Sequence, residues 1–293
     1  MTLLGHQRPL FEGDVERHRA HRIARFAVRS LYQELALYPK PGLVSFRDNG
    51  AHHDMSAATF THSLFSLRGY FVAIALSGAS DPGFSTLQQL GIEAEKTMLR
   101  ATRGINTHRG AIFTLGILAA AAGSAAARYQ YPADNILRNI ITNNWGRDLR
   151  AVPIARSACA SHGQLMAAQH GVAGARGEAL HAFPAVFEVA LPALRNALQR
   201  GVDTQGALLH TLFVLLASTP DTNVLYRGGA DGMNFTQTQA TRFLQQGSVF
   251  SAGWMDRAVS FHRQCSLKNL SPGGCADLLA ATWFVHQLQT AAP

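Results

Sequence analysis

Residues 111–127 read AIFTLGILAAAAGSAAA. The run carries no charge and is dominated by alanine and leucine, the strongest helix formers. It is shorter than the usual membrane span and broken by Gly116 and Gly123, so it predicts a buried core helix over His108–Arg128 rather than a transmembrane segment. The other strongly apolar stretch, Leu64–Ala79, contains Arg68 and reads the same way.

Helical periodicity extends outward on both sides. Upstream it predicts helices over Val15–Leu37, Ser56–Leu76 and Ser85–Ala101, with a turn at Asp81-Pro82-Gly83. Downstream, Pro132 and Pro153 each open a helical segment. Ala182–Leu198 places Phe183, Phe187, Ala190, Leu194 and Leu198 on one face, and Leu208, Leu209, Leu212, Phe213, Leu215 and Leu216 mark another. Thr236–Gln246 and Trp254–Gln264 predict short helices, and Ser271 starts the last. No period-two alternation or β-branched run bounded by turns competes with this pattern. The expected fold is therefore all-α: a loose leader over residues 1–15, then one helical domain over residues 16–293 with its active site in loops at helix ends.

Apolar residues make up 47% of the chain and charged ones only 15%, which suits a large core and excludes a disordered or coiled-coil protein. The net charge of +8 favours a polyanionic small substrate, because a basic cleft concentrates phosphate. The basic residues are scattered and do not alternate with aromatics, which argues against nucleic acid. Cys159, Cys265 and Cys275 are three in number, widely spaced and without a CxxC pair, so neither a disulfide framework nor a zinc site is expected. A reducing cytoplasm and no membrane association fit.

Five loops are unusually dense in glycine beside charged or amide side chains. The first runs from Glu34 through Tyr38-Pro39-Lys40-Pro41-Gly42 to His52-His53-Asp54, where the prolines stiffen the loop behind Lys40, a compact phosphate partner. Asp54 equally suits an N-cap. The second, Arg103-Gly104-Ile105-Asn106-Thr107-His108-Arg109, places Arg103, His108 and Arg109 at the mouth of the alanine-rich helix, whose N-terminus favours an anion; Asn106 or Thr107 would cap it. The third ends in Gly174-Ala175-Arg176-Gly177-Glu178, where Arg176 and Glu178 equally suit a surface ion pair. In the fourth, Asp221 and Asn223 precede Arg227-Gly228-Gly229; an acid and an amide two apart suit a ribose or Mg²⁺, or a plain Asx-turn. The fifth, Ser271-Pro272-Gly273-Gly274-Cys275-Ala276-Asp277, reads as N-cap, N1 and a glycine first turn open to a phosphate. It is neither a Walker A loop nor a dinucleotide fingerprint.

Taken in order, ELALYPKPGLVS, GAHHDM, ATRGINTHRGAIFTLG, GARGEA, PDTNVLYRGG and LSPGGCADLLAAT resemble the triphosphoribosyl-dephospho-CoA synthase family, which serves citrate lyase and malonate decarboxylase. The matches span Glu34 to Thr282. The stand-alone length, Arg109 in THRG and the SPGG ending look closer to the malonate decarboxylase branch. Two positions depart from the pattern: Pro220 stands where a second acid is expected, and Ala182 where glycine is.

The resemblance implies a transferase that moves the triphosphoribosyl group of ATP from adenine N9 to the 2′-hydroxyl of 3′-dephospho-CoA, with Mg²⁺. A phosphoribosyl-dephospho-CoA transferase would then load the product onto an acyl carrier protein. Breaking an N-glycosidic bond needs a carboxylate near the oxocarbenium, a base for the hydroxyl and a proton donor for adenine. Asp221 or Glu178 is expected as base or oxocarbenium stabiliser, and Asp54, Asp221 and Asp277 as Mg²⁺ ligands. Lys40, His52, His53, Arg103, Asn106, Thr107, His108, Arg109, Arg176, Asn223, Arg227 and Ser271, Gly273 and Gly274 would bind substrate. An oligomer is compatible with this reading.

Two other classes compete. His53-Asp54, with His18, His21, His62, His108, His162, His170 and His181 elsewhere, invites a helical HD-type metal-dependent phosphohydrolase. A non-catalytic helical adaptor would show an exposed apolar groove and fewer polar loops.

Overall fold

The computed structural model describes residues 12–129, 132–151, 166, 169, 171, 172 and 174–290. Residues 1–11, the helix expected after Pro153, Cys159, His162 and His170 lie outside the described residues. Every regular element among the described residues is helical.

The first four helices are α1 (Glu12–Ala36), α2 (Ala57–Ser66), α3 (Arg68–Ala79) and α4 (Phe84–Ala101). The alanine-rich run forms α5 (Arg109–Arg128), and α6 (Asp134–Ile140) passes through a π-turn (Ile141–Trp145) into α7 (Gly146–Ala151). Next come α8 (Gly174–Leu180), a second π-turn (Ala185–Ala190), α9 (Leu191–Gln199), α10 (Thr204–Ser218) and α11 (Thr222–Gln245). A 3₁₀ turn (Ser248–Phe250), α12 (Trp254–Leu267) and α13 (Gly273–Thr290) complete the chain.

Helix α5 is the axle. Its residues from Ala111 to Ala125 are buried apart from Phe113, and α1, α3, α4 and α13 pack round it. By length and composition α5 alone among the described helices suits a membrane, but 78% of its most apolar stretch is buried inside the protein, as a core helix requires. The α3–α5 contact is unusually close and reciprocal. A Cβ on Gly78 would strike the carbonyl of Ala120, and one on Gly123 would strike the carbonyl of Ala75. The second layer is α9, α10 and α11, and α13 joins the two by touching α1, α5 and α10.

Three local expectations need correction. Ser56–Leu76 is two helices, broken at Leu67, whose ψ near zero ends one and starts the next. The Arg227-Gly228-Gly229 loop and the Thr236–Gln246 helix are parts of α11, which is kinked where Gly229 adopts φ 59°, ψ −158°. That conformation belongs essentially to glycine. Residues 12–15, assigned to the leader, are helical. Ala182 and Phe183 both have left-handed backbone, φ 53° and 55°, before the second π-turn. The glycine expected at position 182 would take that conformation freely, whereas alanine is strained there.

Candidate active site

Four of the five polar loops meet along one seam of helix ends. The 38–54 loop docks on α13 through His52, whose Nε2 lies 2.8 Å from Ser271 Oγ. Arg227 on α11 donates to His52 Nδ1 at 3.2 Å, to the Asn269 side chain at 2.7 Å and to the Ala51 and Asn269 carbonyls at 3.4 Å. An arginine has no acceptor lone pair, so His52 Nδ1 accepts and Nε2–H donates to Ser271. Burial, and then the Arg227 charge, lowers the His52 pKa, which keeps the ring neutral. Ser271 was expected to cap α13; its hydroxyl instead holds this loop, and α13 begins at Gly273.

Asp221 ties α11 to α13. Its Oδ1 accepts from the backbone N–H groups of Asn223 (2.8 Å) and Val224 (3.2 Å), and its Oδ2 from that of Cys275 (2.7 Å). It is thus the N-cap of α11 and reaches into the first turn of α13 as well. Burial raises its pKa, with the three N–H donors opposing that shift. The two glycines permit the approach: a Cβ on Gly274 would stand 3.0 Å from Asp221 Oδ2, and one on Gly273 2.9 Å from Asn223 Nδ2. Pro220 is exposed, and Asp221 alone serves all three donors, so the missing second acid leaves no group of this cap unsatisfied.

Lys40 is not a surface cation. It is 1% exposed, makes a short ion pair with Glu34 of α1, and burial lowers its pKa against the opposing fields of Glu34 and Asp48. Behind it, His262 of α12 bridges the Lys40 carbonyl through Nδ1 and Asp48 through Nε2 at 3.0 Å. Gly42, at φ 67°, lies so close to the Leu270 carbonyl that a Cβ would collide with it.

The N-terminus of α5 joins the seam through Gly110. A Cβ there would overlap the Asp277 carboxylate, so α13 presents this acid directly to the first turn of α5. Asp277 keeps a partly open surface. Its pKa is raised well above the ordinary carboxylate range, by burial first and then by the charges of Glu34 and Asp221.

Neither Asn106 nor Thr107 is the α5 N-cap residue. That position is His108, without a side-chain cap bond, although Asn106 Oδ1 accepts from the Arg109 N–H at 3.3 Å. Thr107 donates to Ser63 Oγ at 2.8 Å, and Ser63 Oγ lies 2.6 Å from His108 Nδ1. Ser63 Oγ thus accepts from Thr107 and is within hydrogen-bond range of Nδ1 on one side of the His108 ring, with Nε2 on the other. That Nε2 is buried without a hydrogen-bond partner. Burial, with the Lys40 charge adding to it, pushes the His108 pKa down to about 3, so this ring contributes no positive charge to a phosphate at neutral pH.

The remaining expected residues are placed as follows. Arg109 pairs with Glu95 at 2.9 Å, and Arg103 is exposed with a left-handed backbone. His53 and Asp54 are exposed; Asp54 stands 3.6 Å from His52, and Ser56, not Asp54, caps α2. Arg176 donates to the Leu149 carbonyl at 3.1 and 2.8 Å. Glu178 accepts from the Ala185 N–H at 3.0 Å, and its field reaches Cys275; burial raises its pKa. Of the three acids expected to bind Mg²⁺, Asp54 is exposed, Asp221 is buried and Asp277 is partly open. Asp221 is occupied by N–H donors, and no group of three metal-ligating side chains forms among the described residues. Cys265 and Cys275 are buried, free thiols, and burial holds both pKa values high.

Ser63, Asp48 and His262 were missed. Each lies far in sequence from its partner, on a helix or in a loop without a motif of its own. Only the opposed donors and acceptors of the folded chain reveal them.

A family model described as ATP:dephospho-CoA triphosphoribosyl transferase matches residues 20–293. A 2-(5''-triphosphoribosyl)-3'-dephosphocoenzyme-A synthase of Pectobacterium atrosepticum is 40% identical over 283 residues, covering 94% of this chain and 92% of the relative. Proteins named as probable synthases of the same kind are 41% identical in Citrobacter koseri (90% of each chain) and 40% identical in Pectobacterium carotovorum (88% of this chain, 86% of the relative). No solved structure matches.

Proposed function

We propose, from the premise that this chain belongs to the ATP:dephospho-CoA triphosphoribosyl transferase family, that it moves the triphosphoribosyl group of ATP onto the 2′-hydroxyl of 3′-dephospho-CoA and releases adenine. The observation that carries the reading from family to site is the convergence of the α5, α11 and α13 N-termini, joined by Asp221 and by Asp277 on Gly110. Helix N-termini present N–H groups and positive dipole ends, which suit a retained triphosphate. The exposed Arg103, with Arg109 and Arg227 nearer the seam, supplies cationic charge. Two of the expected roles change. Asp221 is the cap that sets the α11–α13 geometry, a positioning role rather than that of the base. Mg²⁺ would arrive on the triphosphate of the substrate rather than at a site built from Asp54, Asp221 and Asp277.

The malonate decarboxylase branch is our finer reading, supported by Arg109 in THRG and by Ser271-Pro272-Gly273-Gly274. The product would then pass to a phosphoribosyl-dephospho-CoA transferase and an acyl carrier protein, in the cytoplasm. Chromatography of pure protein with ATP, Mg²⁺ and 3′-dephospho-CoA tests the reaction. Adenine released only when dephospho-CoA is present is the expected result. Phosphate or ADP without adenine would overturn it and favour a hydrolase.

A further inference from the structure

We propose that a pocket between the end of α9, the side of α10 and the 3₁₀ turn is a second ligand site, built for a small organic carboxylate with an apolar body. It stands apart from the seam, and the argument for it does not depend on the synthase reading.

The pocket has a volume of about 440 Å³, which falls in the range of small-molecule sites. Asp221 caps the first turn of α11, whereas Leu244, which lines this pocket, lies in the last turn of the same 24-residue helix. None of the lining side chains is acidic. Val214 of α10 and Leu244 form an apolar wall. Arg200, His210 and Ser248 form a polar one, with Phe250 against the arginine.

Arg200 is the anchor. It follows the last residue of α9, and its guanidinium carbon lies 3.5 Å from the centre of the Phe250 ring. Attraction between a cation and a ring face holds a side chain that would otherwise sweep through solvent. Among the described residues the guanidinium makes no hydrogen bond or ion pair, so its fork is held in place and unsatisfied. A planar carboxylate matches such a fork, because it accepts two parallel N–H bonds at once.

His210 and Ser248 supply a neutral polar edge beside this cation. His210 Nδ1 lies 2.8 Å from Ser248 Oγ, and the ring stands edge-on to Phe250. Burial, and then the Arg200 charge, lowers the His210 pKa, so Arg200 alone provides the positive charge at neutral pH.

The turn that carries Ser248 is shaped at a cost. Ser248 has φ 50°, directly after Gly247 at φ 93°. A glycine at 248 would follow this path freely, whereas a serine is strained there and persists where its surroundings hold it. Ser251 Oγ donates to the Ser248 carbonyl at 3.1 Å, and Arg257 of α12 donates to Ser251 Oγ. This brace turns the Ser248 hydroxyl, only 2% exposed, onto His210 rather than into solvent. What the strained serine adds over glycine is that hydroxyl, at the polar edge of the pocket.

The test is a titration of the full-length protein with hexanoate, followed by the methyl NMR signals of Val214 and Leu244. Both should shift and saturate, with a Kd of about 1 mM for a ligand of this size. The neutral isostere hexanamide should bind about tenfold more weakly or worse, because it cannot accept a charge-assisted pair. Arg200→Gln should weaken hexanoate by a similar factor. Arg200 is exposed, so this variant should melt as wild type does; if it does not fold, the comparison of hexanoate with hexanamide on wild type decides. Saturating ATP should leave the hexanoate affinity unchanged. No saturable shift up to about 10 mM, or equal binding of hexanoate and hexanamide, would overturn the proposal. So would unchanged affinity in Arg200→Gln. Displacement of hexanoate by ATP would place the carboxylate in the seam instead, and inorganic phosphate that competes as well as hexanoate would mark a general anion spot; either result overturns the assignment.

Discussion

The N-termini of α11 and α13 and the N-terminus of α5 looked alike in sequence, each a glycine-rich turn with charged or amide neighbours. In the folded chain they differ. At α11 and α13 the polar side chains hold the protein together: Asp221 caps one helix and grips the other, Ser271 holds His52, and Arg227 ties three segments. At α5 His108 Nε2 is buried without a hydrogen-bond partner, and the Asp277 carboxylate stands against Gly110 in the first turn. A dense polar motif therefore marks either a clasp or a binding surface, and satisfaction of its atoms tells which.

This contrast can be broken experimentally, most severely at the buried pair that borders both regions. Glu34→Ala would leave the Lys40 ammonium buried and uncompensated, and unfolding in urea should show a loss of about 3–5 kcal/mol. A loss under about 1 kcal/mol would mean that Lys40 finds another partner and that the seam is open at α1.

Asp221→Ala strikes the clasp. Losing a cap and an acceptor for the buried Cys275 N–H should cost about 2–3 kcal/mol by the same measurement. Asp221→Asn, which keeps one acceptor oxygen, should lose less stability and still release adenine. Abolished turnover with unchanged stability would return Asp221 to the chemistry.

The open end responds to pH. His108 is neutral in the folded protein, with its pKa pushed down from 6.5 to about 3. The unfolded chain therefore binds a proton that the native one refuses. The stability tied to this residue is fully present above pH 6.5 and is lost as pH falls toward 3. Between pH 6.5 and 5 the loss is about 2 kcal/mol. His108→Asn removes that titration, so the melting temperature of wild type should fall relative to the variant from pH 7 to 5. A constant difference between them would mean that the ring is not buried as described. The raised carboxyls Asp221, Asp277 and Glu178 are common to both proteins and largely cancel in the comparison.

The smallest effect lies outside both regions. Ala182→Gly relieves a left-handed alanine and should raise stability by about 0.5 kcal/mol, readable as a shift of about 1–2 °C in melting. A decrease would show that burial of the methyl outweighs the strain.

Much of this was legible in the chain. The uncharged alanine-rich run of α5 and the repeating 3.6-residue faces pointed to an all-α core, because a helix buries such patterns. The polar loops were found for the same reason, since glycine pairs at helix starts are locally unfavourable and need a cause. Partnership was not legible. The His52–Ser271 bond spans 219 residues, and the Ser63–His108 bond spans 45. No local pattern encodes such pairs, so Lys40 and His108 read as phosphate cations when one is a buried ion-pair member and the other a neutral ring. The kink at Gly229 was hidden because two adjacent glycines read as a loop, whereas a single glycine torsion lets one helix bend and continue.

The reciprocal fit of Gly78 on Ala120 and Gly123 on Ala75 reaches beyond packing. It fixes the spacing of α3 and α5 by two missing methyl groups rather than by a compressible layer of side chains. Mutational drift on the outer face of α3 is thereby insulated from the end of α5 that carries His108 and Gly110. Residues there can change while the alignment of that end with Asp277 is inherited intact. A single methyl at position 78 or 123 would push α5 out of register, and so reach its N-terminus from the middle of the molecule.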